Sequence, residues 1–229
     1  MTWALPRRTF IGTTAAALGA SLVAPRAQCV TAAELKVPDD ASALRFEFET
    51  AGIEGWTSVK GQWAVEDMSD APSGKRVLVQ RATRNDFNVI VTPAGPFTDV
   101  DVTMKFKPIS GREDASGGLV FRFIDRKDAI YGKYYVVRAN ALEDNFRLYI
   151  YDGKRHEIAS ARVKAPELGR WHTVRVVAVG DRMQAWLDGR MLLEHRDSRF
   201  KAGGVGLWTK ADSITAFDDL VVRGVKLVE

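Results

Sequence analysis

Between Trp171 and His195 the chain alternates apolar and polar residues at every second position, and two pairs of turn residues interrupt the alternation. The apolar side chains that share a face in two successive segments are Val174, Val176 and Ala178, then Met183, Ala185 and Leu187. Gly180-Asp181 and Asp188-Gly189 follow these segments, and Gly and Asp adopt the positive φ of tight turns at low cost. The stretch therefore predicts three short antiparallel strands.

The same period of two recurs through most of the chain from Glu34 onward. Half-buried strands are predicted at 44–49, 101–107, 119–123 and 146–151. In the third of these, Leu119, Phe121 and Phe123 are predicted to face one way and Arg122 the other. No long amphipathic helix follows residue 33, and its best candidate is a turn around Pro166 to Gly169.

Many short strands without helices predict an all-β fold in which two antiparallel sheets bury their apolar faces against each other. A jelly-roll β-sandwich is favoured, and a closed barrel is the alternative. No Pro-, Ser- or Thr-rich linker and no internal repeat divides the chain, so residues 34–229 are predicted to form one domain.

Residues 1–33 have the pattern of an export signal. Arg7 and Arg8 precede Phe10-Ile11 and a mildly apolar run, which is typical of a twin-arginine signal peptide, although Pro6 stands where Ser or Thr is usual. The run is too short for a permanent membrane span. Cleavage near Ala32 or Ala33 would deliver a periplasmic or secreted protein, and a lipid anchor on Cys29 is the weaker alternative.

Cleavage would change the bulk properties of the chain. Cys29 is the only cysteine, so residues 34–229 contain no disulfide and no thiolate site. The formal charge of +4 includes three arginines before residue 34, and without them 30 basic residues face 29 acidic ones. Nucleic-acid binding requires concentrated positive charge, so a nucleic-acid partner is not expected.

The order of several short motifs resembles the concanavalin A-like lectin/glucanase superfamily. The motifs are FEFET, GQWAVED, GGLVFRFIDRKD, YYVVRANALEDNFRLYIYDGKR, GRWHTVRVVAVGDRMQAWLDGR, GGVGLWT and FDDLVV. Within it the chain is most similar to the 3-keto-disaccharide hydrolase family and, more distantly, to laminin G-like modules. The resemblance implies a concanavalin A-like sandwich that binds carbohydrate on a concave sheet, with hydrolase or lyase activity on 3-keto-glycosides. A non-enzymatic adhesion module of the laminin G type is the alternative.

Long planar donors alternate with aromatic rings on the predicted outward faces of the strands. Rings stack on the C–H faces of sugars while guanidinium groups bond their hydroxyls, so this set predicts a carbohydrate groove. The candidate ligand-binding residues are Arg122, Arg138, Asn140, Arg147, Tyr149, Trp186 and Trp208, with Asn145 and Tyr151 beside them. The alternative is a solvated face on which the arginines pair with acidic neighbours.

Catalytic residues are less clearly indicated. Glycosidases need two carboxyl groups about 5 to 10 Å apart, and the Glu-x-Asp-x-x-Glu motif of the related glucanases is absent. The candidate acids and bases are Asp125, Glu143 and His156, with Asp128 and Asp144 as further carboxylates. The three histidines lack zinc-site spacing, and His172 is predicted to be structural.

Candidate ligands for a structural calcium ion stand where the first and last strands meet, a place at which related sandwiches hold one. Glu47, Asp218 and Asp219 are its candidate ligands, with Glu49 nearby, because Ca²⁺ prefers carboxylate oxygens. A pair of exposed acidic strand residues is the alternative.

Overall fold

The computed structural model describes residues 33–38, 41, 43–50, 52–125 and 130–227. The predicted signal peptide, apart from Ala33, lies outside these residues. The described residues form fifteen strands: β1 Ala43–Phe46, β2 Thr57–Lys60, β3 Trp63–Asp67, β4 Arg76–Gln80, β5 Phe87–Val91, β6 Phe97–Ser110, β7 Ser116–Ile124, β8 Lys133–Asn140, β9 Glu143–Tyr151, β10 Arg155–Arg162, β11 His172–Val179, β12 Arg182–Leu187, β13 Arg190–Arg196, β14 Gly204–Lys210 and β15 Ile214–Lys226.

The strands form two antiparallel sheets. The first has the order β13-β12-β11-β6-β15-β4-β3, with β1 also paired to β15, and the second has the order β10-β9-β8-β7-β14-β5-β2. No described residue lies in a helix, and so no helix of the described chain is long and apolar enough to span a membrane. The predicted all-β, two-sheet sandwich is confirmed.

The main core fills the space between the sheets. Phe106 and Val176 of the first sheet belong to the same buried cluster as Phe121, Phe146 and Leu148 of the second. A fully buried side chain of this kind contributes about 1.5 to 3 kcal/mol of transfer free energy. Alternation therefore leaves the opposite face of each sheet for other roles.

The hairpins predicted between Trp171 and His195 are present. The alternating apolar residues of β11 and β12 all lie in the core. Gly180-Asp181 joins β11 to β12 with φ of 56° at Gly180, and Asp188-Gly189 joins β12 to β13 with φ of 48° and 78°. Positive φ at both residues of the second turn matches the right-handed twist of the flanking strands.

One predicted strand face is wrong at the end of β7. The pairing with β8 shifts register between Phe121 and Ile124, and Arg122 has φ of 52°. This β-bulge breaks the period of two, so Phe121 faces the core while Phe123 stacks on Tyr134 at the outer face of the second sheet.

The segment before β1 lies against the first sheet. Glu34 forms an ion pair with Arg175 at 2.6 Å, and the Leu35 amide donates to Gln184 Oε1 at 2.7 Å. Val37 is buried. These contacts tie residues 34–37 to β11 and β12.

Candidate functional site

The outer face of the second sheet is covered by a second apolar cluster, here called the aromatic face. Its buried members are Val89, Val91, Val120, Phe123, Tyr134, Val136, Tyr149, Tyr151 and Trp208. An outer sheet face is usually open to water, yet Trp208 is fully buried and Tyr134 is 1% exposed. Other side chains must therefore close over this face.

Arg155 and Phe87 cover this face from strands near the two opposite edges of the sheet. They begin β10 and β5, which stand five places apart, so a flat sheet would separate them by about 24 Å at about 4.8 Å per strand. Instead the Arg155 guanidinium lies 5.2 Å from the Phe87 ring centre, 4.6 Å from that of Tyr149 and 5.8 Å from that of Trp208. The aromatic face is therefore concave.

A network of charged and polar groups extends along β8 and β9 beside the rings. Arg138 Nη2 donates to Glu143 Oε2 at 2.8 Å and to Tyr149 Oη at 3.2 Å. Arg147 Nη1 donates to the same Tyr149 oxygen at 3.2 Å, and its Nε lies 3.0 Å from Glu157 Oε2. Arg138, Arg147 and Arg155 are called the arginine cluster below.

Several polar atoms of this network have no hydrogen-bond partner among the described residues. They are the donors Arg138 Nε and Nη1, Arg147 Nε and Arg155 Nη1, and the acceptor Asn145 Oδ1. Arg138 is only 2% exposed. A buried donor without a partner costs about 1 to 3 kcal/mol, and a charged one costs more. Such donors are suited to a ligand that supplies acceptor oxygens.

Glu143 is ionised at neutral pH. Burial raises the pKa of its carboxyl group, but hydrogen bonds from Arg138 and Asn145 and the charges of Arg138 and Arg147 outweigh it and lower the pKa to about 2. Asn145 Nδ2 donates to Glu143 Oε2 at 2.8 Å. Glu143 thus acts as a fixed acceptor within the cluster.

The structure brings five predicted ligand residues onto the concave face: Arg138, Asn140, Arg147, Tyr149 and Trp208. Asn140 reaches Glu143 Oε1 with its Nδ2 at 3.2 Å. Arg138 and Trp208 face each other across Gly118, which pairs in register with both. A Cβ at Gly118 would lie 3.1 Å from Arg138 Cβ and 3.2 Å from Trp208 Cε3, so this glycine leaves room for both side chains.

Arg122 does not belong to this face. The bulge in β7 directs its guanidinium to the first sheet, where it donates to the carbonyl oxygens of Thr98, Gly180 and Phe200 at 2.7 to 3.3 Å. It is 1% exposed. Arg122 therefore joins the two sheets, and its prediction as part of a common groove is corrected.

Trp186 lies on the other sheet. It pairs in register with Arg175, whose guanidinium stands 4.7 Å from the indole ring centre. Arg175 is itself held by Asp101 and Glu34. The ring therefore lies under Arg175 on the outer face of the first sheet, away from the aromatic face. Its prediction as part of the same groove is corrected, because alternation along a strand does not reveal which sheet the strand joins.

The catalytic candidates are not gathered around one point. Asp125 is exposed and lines a cavity of about 340 Å³ with Thr57 and Gly204. His156 pairs with Ile150, a core residue, so its side chain lies on the face of β10 away from the arginine cluster. Of these catalytic candidates, only Glu143 pairs with the arginine cluster. Asp128 is outside the described residues.

Of the predicted calcium ligands, Asp218, Asp219 and Glu49 are engaged by protein donors, whereas Glu47 is exposed. Asp218 is buried and accepts hydrogen bonds from the Ser73 amide and hydroxyl, while Asp219 Oδ2 lies 2.7 Å from Lys105 Nζ. Glu49 accepts the amides of Lys75 and Arg76. Within the described ranges no three His, Cys, Asp or Glu side chains are grouped to hold a metal. These residues do not fit a calcium site, and bound calcium stays a prediction.

Sequence reasoning missed Arg155, Phe87 and Tyr134 on the concave face. The register of the β9–β10 hairpin gave a usable signal for Arg155, because a short turn at Asp152-Gly153 places it opposite Tyr151. Phe87 had no such signal, since it reaches the face only through the curvature of the sheet.

Two packed antiparallel sheets, one of them with a concave outer face, form the arrangement of lectin-like β-sandwiches. Within that class the chain belongs to the 3-keto-alpha-glucoside-1,2-lyase-like domain family, whose model matches residues 47–223. This match confirms the family resemblance of the sequence.

Similar proteins include a levanase from Bacillus subtilis (strain 168), which is 27% identical over 160 residues. The aligned part is 69% of this chain and 21% of the levanase, so the chain spans about a fifth of that relative. A carbohydrate binding module, CBM66 from Bacillus subtilis, has a TM-score of 0.63 and 23% identity, with 75% of this chain and 97% of the module covered. The exoplasmic/lumenal domain of VIP36, in a Ca²⁺/Man3GlcNAc-bound form, has a TM-score of 0.56 and 11% identity over 82% of this chain and 90% of that one. These structural likenesses show the fold.

Proposed function

We propose that the domain binds glycans on the concave face of the second sheet. The observation that carries the proposal is the buried Arg138 guanidinium, with two nitrogens lacking acceptors beside the Tyr149 ring. Sugar hydroxyls supply acceptors, and sugar C–H faces pack on aromatic rings. The similarity to a levanase, to a carbohydrate binding module and to a domain with a bound mannose-containing glycan supports this ligand class.

A glycan array followed by calorimetric titration tests the proposal. Arg147→Gln and Tyr149→Phe each remove a hydrogen-bonding group from the face and should weaken binding of the best glycan about tenfold, because a charge-assisted hydrogen bond contributes about 1.5 to 3 kcal/mol. Arg196→Gln is the matched control, since Arg196 is exposed on the first sheet and pairs with Asp181. Binding that survives both changes on the aromatic face would place the glycan elsewhere.

A second candidate function is lyase or hydrolase activity on 3-keto-glycosides, and family membership favours it. A general base works best when its pKa is near the working pH, so the low pKa of Glu143 suits an electrostatic or hydrogen-bonding role better than proton transfer. Turnover of 3-keto-glucosides, and its loss in Glu143→Gln with binding retained, would support the enzyme. If no product forms from a panel of such substrates while glycans still bind, the enzymatic function is excluded and the binding function is retained.

We also propose that residues 1–33 direct export by the twin-arginine route, which places the domain in the periplasm or outside the cell. The support is the Arg7-Arg8 pair before a weakly apolar run. Replacing both arginines by lysine should retain the full-length chain in the cytoplasm, as immunoblots of cell fractions would show. Export that is unchanged by this replacement would exclude the twin-arginine route.

A further inference from the structure

Within the arginine cluster, Arg155 alone has no acidic partner among the described residues. Arg138 lies 2.8 Å from Glu143, and Arg147 lies 3.6 Å from Glu143 and 3.0 Å from Glu157. No carboxylate lies within ion-pair distance of Arg155 in the described chain, and none of its five N–H groups donates a hydrogen bond there. Its Nη1 is shielded from solvent.

Charge accounting within the arginine cluster leaves one positive charge unbalanced. The arginine cluster carries three positive charges, and Glu143 and Glu157 supply two negative ones. The lysines at the edges of the face have partners of their own, since Lys60 lies 3.5 Å from Asp86 and Lys210 lies 3.8 Å from Asp114. The unbalanced charge is therefore that of Arg155.

The surroundings of Arg155 also restrict how a ligand can approach it. The rings of Phe87, Tyr149 and Trp208 lie 4.6 to 5.8 Å from the guanidinium carbon. Rings of this kind stabilise a cation through its faces but accept no in-plane hydrogen bond. Arg155 is partly exposed, and Nη1 is its only nitrogen that is shielded in the described structure, so the edge formed by Nε and Nη2 remains for a ligand. A planar fork of N–H groups matches the two oxygens of a carboxylate.

Building on the glycan binding proposed above, we infer that the glycan carries an anionic group, a carboxylate by preference, which pairs with Arg155. The anion neutralises the unbalanced charge of the arginine cluster, while Arg138 and Arg147 bond the hydroxyls of the same or the adjoining sugar. A neutral glycan that covers Arg155 would remove water from the guanidinium without supplying a counter-ion, which is unfavourable. The domain therefore selects acidic glycans, such as uronate-containing chains, over neutral ones of the same backbone.

The test compares matched ligands on the full chain. Oligogalacturonate and its carboxyl-reduced counterpart share one backbone and differ only at C6, where a hydroxymethyl group replaces the carboxylate. A sulfated galactan oligosaccharide with its desulfated form provides a second anion. We expect the acidic member of the carboxylate pair to bind at least about tenfold more tightly, with a preference that falls as salt is raised. A preference confined to the sulfated pair would keep the anion requirement and overturn the choice of carboxylate.

Variants separate a ligand contact from a structural role. Arg155→Gln should remove the preference for the acidic ligand, Arg155→Lys should retain part of it, and Arg196→Gln should change nothing. If Arg155→Gln lowers stability and the preference for acid is unchanged, Arg155 is only a cover for the rings and the inference fails. Equal affinity of the wild-type chain for acidic and neutral members overturns the inference but leaves glycan binding intact. An array without any bound glycan overturns both.

Discussion

At the scale of single residues, Arg122 shows how one bulge converts a predicted ligand contact into a tie between sheets. Its guanidinium satisfies three backbone carbonyls of elements outside its own sheet. Arg122→Met would leave these oxygens without donors, and we expect the free energy of unfolding to fall by about 3 kcal/mol or more. Urea denaturation measures the change.

Two comparisons make this prediction specific. Arg196→Met should alter stability by less than about 0.5 kcal/mol, because an exposed ion pair contributes little. Glycan affinity per folded molecule should be unchanged in Arg122→Met. If Arg122→Met is fully stable but binds glycan poorly, Arg122 contacts the ligand and its assignment as a structural tie between the sheets is wrong.

Glu143 makes the stability of the domain depend on pH. The folded-state pKa is about 2, below the ordinary value of 4.5, so the ionised form is favoured by folding. This stabilisation is complete above about pH 5 and is lost as the pH falls through the range from 4.5 to 2. The stability difference between wild type and Glu143→Gln, measured by denaturation at each pH, should shrink over that range. A difference that stays constant from pH 6 to pH 2 would contradict the assignment.

At the scale of elements, β7 forms the floor of the site at Gly118, whose lack of a side chain leaves room for Arg138 and Trp208. A Cβ at Gly118 would lie 3.0 Å from the Val137 carbonyl oxygen and would crowd both Arg138 and Trp208. Gly118→Ala should therefore weaken glycan binding several-fold, by displacing these side chains, while costing about 1 kcal/mol of stability. Titration calorimetry on the folded variant tests this, and unchanged affinity would show that the ligand does not depend on the row from Arg138 to Trp208.

The alternation of side chains allowed the strands and their inner faces to be predicted, but not their assignment to sheets. Val176 and Leu119 were correctly placed in a core because burial of one face imposes a period of two. Trp186 and Tyr149 have the same local pattern, yet they lie on different sheets. That difference depends on long-range pairing, which alternation within one strand does not encode.

The candidate site was predictable to a similar depth. Arg138, Arg147 and Tyr149 were found because they alternate with core residues on paired strands. Arg122 was assigned to the wrong face because no residue type in the sequence marks the β-bulge that changes its direction. The contact between Arg155 and Phe87 depends on the curvature of seven strands, which no short segment specifies.

At the scale of the whole molecule, the two outer faces differ in how completely their charged groups are paired. The second sheet presents unpaired donors among aromatic rings, whereas charged groups on the first sheet, such as Arg175 and Asp101, are paired with each other. The segment of residues 34–37 adds to the covering of the first sheet. Substitutions in residues 34–37 should alter the free energy of unfolding without altering glycan affinity.

Removal of residues 1–38 tests this division between the sheets. The shortened chain loses the buried Val37, the hydrogen bond from Leu35 to Gln184 and the ion pair between Glu34 and Arg175. We expect the free energy of unfolding to fall by about 1 to 3 kcal/mol relative to a chain that begins at residue 34, since one buried valine and one hydrogen bond contribute about this much. Glycan affinity should remain within about twofold, because no residue of the arginine cluster contacts this segment in the described structure. A loss of affinity with stability unchanged would show that the first sheet takes part in recognition.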